Sequence, residues 1–177
     1  MNIEKGLIQV YTGNGKGKTT AAFGLALRAR GHGFAVKIIQ FMKSEKMFNT
    51  YGEIKFFKND PGIEILQFGT DGWVDFKNPA PEAVAAAEKA AEKAADILKN
   101  DSVDVLILDE ILYAYKFNLI KKEHFDEIFD AKKENTELIL TGRDAPDFVI
   151  EKADLVSEIK DVKHYFQSRK AITGIEF

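Results

Sequence analysis

One stretch constrains this chain more than any other: Thr12-Gly13-Asn14-Gly15-Lys16-Gly17-Lys18-Thr19-Thr20. Before it stands the apolar run Leu7-Ile8-Gln9-Val10-Tyr11, which reads as a buried strand. After it stands Ala21-Ala22-Phe23-Gly24-Leu25-Ala26-Leu27, which reads as the start of a helix. Strand, glycine-rich turn, Lys-Thr and helix is the order of a phosphate-binding P-loop. Glycines let the backbone curl until several N–H groups converge on one anion. The helix N-terminus adds unsatisfied donors and the positive end of a dipole. In this frame Lys18 reaches phosphate oxygens and the Thr19 hydroxyl holds a magnesium ion. The consensus G-x-x-x-x-G-K-[ST] wants a glycine five places before Gly17. That place holds Thr12, so the loop is a variant with extra glycines at 13 and 15.

Apolar runs of strand length recur at Leu7–Tyr11, Ala35–Phe41, Ile63–Phe68, Val103–Leu108, Leu138–Thr141 and Leu155–Ile159. They are continuous rather than alternating, which predicts strands buried on both faces of a parallel sheet. Helical stretches lie between them. Pro81 opens an alanine-rich one that runs to Leu98, Lys121–Lys133 is amphipathic, and Pro146–Lys152 is short. The alternation predicts an α/β fold: a mostly parallel, P-loop NTPase-like (RecA-like) sheet with helices on both faces, in one domain over residues 1–177. The alanine-rich helix reads as scaffold. Met42–Lys58 and Gly69–Ala80 resist regular assignment. Both follow strands, and ligands in open parallel sheets bind beyond the strands' carboxyl ends, so both loops are expected at the P-loop's crevice.

The run Val103-Asp104-Val105-Leu106-Ile107-Leu108-Asp109-Glu110 is an apolar strand ending in two carboxylates. That is the Walker B pattern. Magnesium on a triphosphate would compensate such charges, because Mg²⁺ takes a few carboxylates plus phosphates. Arg143, after the strand ending at Thr141, can clamp phosphate or a transition state. Arg28 lies on the helix after the P-loop and can turn toward ligand or solvent. His32, His124 and His164 have no metal-ligand spacing. With a net charge of −3 the chain has no electrostatic footprint for nucleic acid. The absence of cysteine excludes disulfides and thiol chemistry. No apolar run approaches membrane-spanning length, and a cytoplasmic location is the expectation. These residues describe a magnesium–nucleotide enzyme or switch. Hydrolysis and phosphoryl transfer both stay open, since Glu110 directly after Asp109 can also polarise an attacking water.

Several segments together resemble one family. They are Tyr11 to Gly24, Arg28 with Gly31-His32-Gly33, Gln40-Phe41-Met42-Lys43, Tyr51-Gly52-Glu53, and Leu108-Asp109-Glu110. Further on come Leu140 to Pro146, Ala153 to Glu158, Val162-Lys163-His164 and Gly174-Ile175-Glu176-Phe177. The chain is similar, from Gly6 onward, to the P-loop ATP:corrinoid adenosyltransferases, which share the variant loop. The resemblance implies transfer of the 5′-deoxyadenosyl group of ATP to cobalt(I) of cob(I)alamin or another reduced corrinoid, with triphosphate released. It implies ATP bound in reverse along the loop relative to ordinary P-loop NTPases. ATP binding then falls to Gly13, Asn14, Gly15, Lys16, Gly17, Lys18, Thr19, Thr20, Arg28 and Arg143. Lys18, Glu110 and Arg143 are the expected catalytic residues. Mg²⁺ falls to Thr19 and Glu110, with Asp109 as support or second ligand. A homodimer and a flavoprotein reductant belong to the same expectation.

This chain departs from the family at the loop after the third strand. The usual Gly-Phe-x-Trp pattern reads Gly72-Trp73-Val74-Asp75-Phe76 here. Trp73 takes the first aromatic place and Phe76 is expected to stand in for the second, as corrinoid-binding residues. Many relatives also carry an N-terminal extension over the corrinoid site. Two further readings stand beside the transferase: a P-loop ATPase or kinase with another acceptor, and a corrinoid- or nucleotide-binding module without turnover.

Overall fold

The computed structural model describes residues 3–44, 46, 51–72, 74–165 and 168–177. Six strands form one sheet: β1 (Ile8–Thr12), β2 (Val36–Phe41), β3 (Ile63–Phe68), β4 (Val105–Asp109), β5 (Glu137–Thr141) and β6 (Leu155–Glu158). The order across the sheet is β3-β2-β4-β5-β1-β6, and every pairing is parallel. Among the described residues, the helices of six residues or more are α1 (Lys18–Gly31), α2 (Gly52–Phe57), α3 (Pro81–Asn100), α4 (Ile111–Lys116), α5 (Lys122–Ala131) and α6 (Asp147–Lys152).

The continuous apolar runs are explained by two cores, one on each sheet face. Along β4, Leu106 and Leu108 point into a core with the alanines of α3 and with Phe125 and Ile128 of α5. Val105 and Ile107 point the other way, into a core with Ala22, Phe23 and Ala26 of α1 and Ile54 and Phe57 of α2. Successive strand residues face opposite sides, so a strand covered on both sides must be apolar throughout. Ala83, Ala87, Ala90, Ala91, Ala94 and Ala95 are all buried, and these small side chains let α3 lie close on the sheet and on α5. Among the described residues no helix is long and apolar enough to cross a membrane.

Four expectations are corrected. The Ile63–Phe68 run is not buried on both faces: β3 is an edge strand in which only Ile63 is buried. The Leu155–Ile159 run is not buried on both faces: β6 is an edge strand and all four of its residues are exposed. A strand with one neighbour and no helix over it exposes its side chains whatever their polarity. The irregular reading of Met42–Lys58 misses α2, a six-residue helix fastened by Ile54 and Phe57, with Phe57 against Phe23 at 5.7 Å between centroids. It also begins after the extended Tyr51. Helix α4 was not foreseen either. It starts at Glu110, whose left-handed backbone (φ 66°) turns the chain sharply off β4.

Candidate active site

The P-loop lies between the carboxyl end of β1 and the first turn of α1. Gly13 (φ 97°) and Gly17 (φ 124°) occupy the left-handed region that favours glycine. The extra glycines have a second cause. A Cβ on Gly13 would stand 2.4 Å from the Ile159 carbonyl oxygen, and one on Gly15 would stand 2.8 Å from it. The end of β6 is laid directly on the loop: Gly15 N–H donates to the Ile159 carbonyl (2.8 Å), and Ile159 N–H donates to the Thr12 carbonyl (2.8 Å). Thr12, at the consensus glycine's place, uses its hydroxyl to accept from the Ala145 N–H at 3.3 Å.

The loop already handles negative charge. The Lys16 N–H donates to an Asp161 carboxylate oxygen at 3.3 Å. Lys18 is buried, and its ammonium donates to the Gly15 carbonyl at 2.7 Å. Burial, then the nearby Arg143 charge, lowers the Lys18 pKa from its ordinary value. The charge of an anionic ligand would offset both causes. Arg143 stands after Gly142, where a Cβ would meet Leu112 and Tyr113 at 2.7–2.8 Å. Its guanidinium lies 5.8 Å from the Tyr113 ring centroid and donates weakly to the Asn14 side-chain oxygen at 3.4 Å.

Asp109 is the electrostatic hub. It is fully buried and accepts four hydrogen bonds. Oδ1 takes the Thr19 and Thr141 hydroxyls, both at 2.8 Å. Oδ2 takes Gln40 Nε2 at 2.9 Å and the Lys43 ammonium at 2.8 Å. Burial alone would raise the Asp109 pKa, but Lys43 and the other donors more than offset it and hold it low. Burial likewise opposes the Lys43 charge, and Asp109 outweighs it, so the Lys43 pKa is raised. Glu110 has no comparable set of donors. Burial, and then repulsion from Asp109, raise its pKa.

These groups open into one cleft of about 1120 Å³, above the roughly 300–1,000 Å³ of an ordinary small-ligand site. Asn14 to Thr20, Lys43, Glu110 and Arg143 line its polar part. Phe23, Leu27, Tyr51, Phe56 and Phe57 line an apolar part together with Ile175 and Phe177. The structure thus brings together Asn14, Gly15, Lys16, Gly17, Lys18, Thr19, Thr20, Glu110 and Arg143, with Gly13 and Asp109 directly behind. Arg28 is not among the lining residues. It is exposed, and its charge is felt at Tyr11. The Met42–Lys58 loop reaches the cleft through Lys43, Tyr51 and Glu53. Of Gly69–Ala80, Phe76 stacks on Phe117 (3.9 Å) and meets Tyr113 edge-on (5.5 Å), and among the described residues it is linked to the cleft through the Tyr113–Arg143 contact. Trp73 lies outside the described residues.

Sequence reasoning gave no role to Gln40, Lys43, Thr141, Tyr113 or Glu176. A signal existed for two of them. Gln40 is a lone polar residue in the otherwise apolar end of β2, and Lys43 follows immediately after that strand.

Comparison with known proteins places this geometry. The model of the family "ATP:corrinoid adenosyltransferase BtuR/CobO/CobP" matches residues 4–177. A corrinoid adenosyltransferase of Sinorhizobium sp is 38% identical over 178 residues, covering 98% of this chain and 81% of that protein. One from Escherichia coli K12 is 36% identical over 175 residues, covering 98% and 87%. Among solved structures, the flagellar accessory protein FlaH of Methanocaldococcus jannaschii superposes with a TM-score of 0.56 at 14% identity, over 88% of this chain and 72% of that one. A KaiC-like protein of Pyrococcus horikoshii gives 0.56 at 15%, over 87% and 73%. At such identities the two structures speak for the fold alone.

Proposed function

The chain belongs to the ATP:corrinoid adenosyltransferase family, and from that premise we propose how its residues transfer the adenosyl group of ATP to a reduced corrinoid within one domain. In the reaction, cobalt(I) of the substrate attacks the 5′ carbon of ATP. The carbon–oxygen bond to the triphosphate breaks, triphosphate leaves with the electron pair, and cobalt becomes cobalt(III). Cobalt(I) is the nucleophile, so no side chain need act as a base. The protein's work is to orient ATP and to stabilise charge gathering on the departing triphosphate. The observation that carries the reading is one cleft with a cationic, N–H-rich end at the P-loop and an aromatic end at Tyr51, Phe56 and Phe57.

The N–H groups at the start of α1, from Gly17 to Thr20, with Lys18 and Arg143, hold the triphosphate, since those of Gly15 and Lys16 are taken by Ile159 and Asp161. Burial and Arg143 depress the Lys18 pKa, and phosphate charge beside the ammonium would oppose that shift. Arg28, assigned to ATP by the resemblance, acts from outside the lined cleft.

A magnesium ion fits the donor set. Among the described residues no group of three or more His, Asp or Glu could hold a metal by itself, so the phosphates must supply most ligands, as Mg²⁺ prefers. Thr19 and Glu110 would be the protein's contribution. Asp109 has both oxygens committed and supports the site by holding Thr19. When bound, the ion neutralises triphosphate charge as the leaving group departs. Phe76, stacked on Phe117 beside Tyr113, is assigned with Trp73 to the corrinoid. A homodimer and a flavoprotein reductant rest on the resemblance, a cytoplasmic location on the expectation from the sequence, and sedimentation tests the first directly.

The test is anaerobic incubation with ATP, magnesium and chemically reduced cobalamin, following cobalt(I) absorbance and the phosphate product. Loss of cobalt(I) with stoichiometric triphosphate is expected. Lys18→Ala should abolish it, chelation of magnesium should suppress it, and Phe76→Ala should raise KM for cobalamin while sparing ATP affinity. Unchanged cobalt(I) beside ADP and phosphate would assign the site to ordinary hydrolysis.

A further inference from the structure

Lys16 belongs to the P-loop by sequence, yet its ammonium faces away from the loop's anion cradle. It donates to the Tyr165 phenol oxygen at 3.0 Å, to the Ile175 carbonyl at 3.2 Å and to Glu176 Oε1 at 3.0 Å. A lysine ammonium has three N–H donors, so these acceptors use its whole capacity. The Tyr165 hydroxyl donates to the same Glu176 oxygen. Glu176 Oε2 accepts from the Ile172 N–H at 2.6 Å. These bonds, the one from Tyr165 first, then Ile172 and Lys16, pull the Glu176 pKa down to about 2. The next residue, Phe177, meets the Tyr51 ring at 6.1 Å. The segment Gly174–Phe177 therefore bridges the cleft from the P-loop to the residue preceding α2, and all four of its residues line it.

We propose that Lys16 is a positioning residue rather than a phosphate ligand: with Glu176 and Tyr165 it fixes Gly174–Phe177 as the wall against which the nucleoside half of ATP packs. This rests on the reading that the P-loop end of the cleft takes the triphosphate. The polar end is supplied with N–H groups, Lys18 and Arg143 without any help from Lys16. The apolar end, by contrast, is lined by Ile175 and Phe177 together with Leu27, Tyr51 and Phe56, and Phe177 is seated against Tyr51. Losing the tie should therefore loosen the nucleoside and leave the phosphates alone.

The experiment compares ATP with inorganic triphosphate, both with magnesium, by calorimetry on the full chain. Lys16→Met, Glu176→Gln and Tyr165→Phe should each weaken ATP roughly 10- to 100-fold, the scale of one charge-assisted hydrogen bond. Triphosphate should stay within about twofold. Lys16→Met with Glu176→Gln should be no worse than either alone, because both break one network. Hydrogen exchange without nucleotide should quicken over residues 172–177 in Lys16→Met. If Lys16→Met weakens triphosphate as much as ATP, or Glu176→Gln leaves ATP affinity unchanged, the proposal is wrong. Unchanged exchange in Lys16→Met would equally overturn the tie. None of these readouts uses corrinoid. A wild type that binds ATP but forms no adenosylcorrinoid defeats the transferase reading alone, and one that binds neither phosphate ligand defeats both.

Discussion

Replacing Asp109 by Asn should test the hub of the site, because the structure fixes what is lost. All four neighbours of the carboxylate point donors at it: the Thr19 and Thr141 hydroxyls, the Gln40 amide and the Lys43 ammonium. Hydroxyls can turn and accept instead, so the best orientation of Asn puts its NH₂ toward the threonines. Its oxygen then faces Gln40 and Lys43. The shape and most hydrogen bonds survive, but the Lys43 ammonium, whose side chain is only 15% exposed, faces a neutral amide. Breaking a buried ion pair costs about 3–5 kcal/mol. Glu110 remains close enough to act on Lys43, so the lower end, about 3 kcal/mol, is expected. At about 2–4 °C per kcal/mol for a chain of this size, Tm should fall by roughly 6–12 °C. Thermal and urea melts of Asp109→Asn, Lys43→Met and the double variant form a cycle. Because the double variant removes both charges, it should be less destabilised than the sum by about 2 kcal/mol. A loss below about 1 kcal/mol for Asp109→Asn, or strict additivity, would show that Lys43 is not the counter-charge.

Gly13→Ala should cost about 1–3 kcal/mol in a urea melt, since it combines a positive φ with a Cβ aimed at the Ile159 carbonyl. It should also weaken ATP, and a wild-type melt would mean that the loop and the end of β6 yield without strain. A carbon-13 titration of the Glu176 carboxyl should show a midpoint near the depressed value of about 2, against the ordinary 4.5, moving back toward the ordinary value in Tyr165→Phe. The sign follows from linkage: a carboxylate depressed on folding contributes stability above its unfolded pKa and loses it as pH falls through the folded value. Lys16, raised by Tyr165 and then Glu176, loses its contribution only in alkali, so the tie should be intact across neutral pH. An ordinary Glu176 midpoint in the wild type would remove the tie.

The P-loop could be read from the chain because its geometry is local. Gly13 and Gly17 mark the positive-φ turns, and Lys18 and Thr19 are their immediate neighbours. The four inner strands were legible because a strand with neighbours on both sides and a core on each face shows as an apolar run, whereas Ile63–Phe68 forms the other edge strand, with only Ile63 buried. The same signal misled at Leu155–Glu158, since an edge strand can be equally apolar, and sheet order is not written in any one segment. Helix α2 was missed because six residues with two buried aliphatic or aromatic contacts carry too little periodicity to stand out.

By itself, then, the sequence determined the fold class, the phosphate loop, the Walker-type carboxylates and the family. Only the tertiary structure decided which partners those residues have. The β2–β4 register sets Gln40 opposite Asp109, and the β4–β5 register carries Thr141 to the same carboxylate. Lys16 and Glu176, 160 residues apart, meet because the chain beyond β6 folds back over the loop. Such pairings depend on which strands lie side by side and how far each is slid. That is a property of the packed sheet and its two cores, and no run of neighbouring residues encodes it.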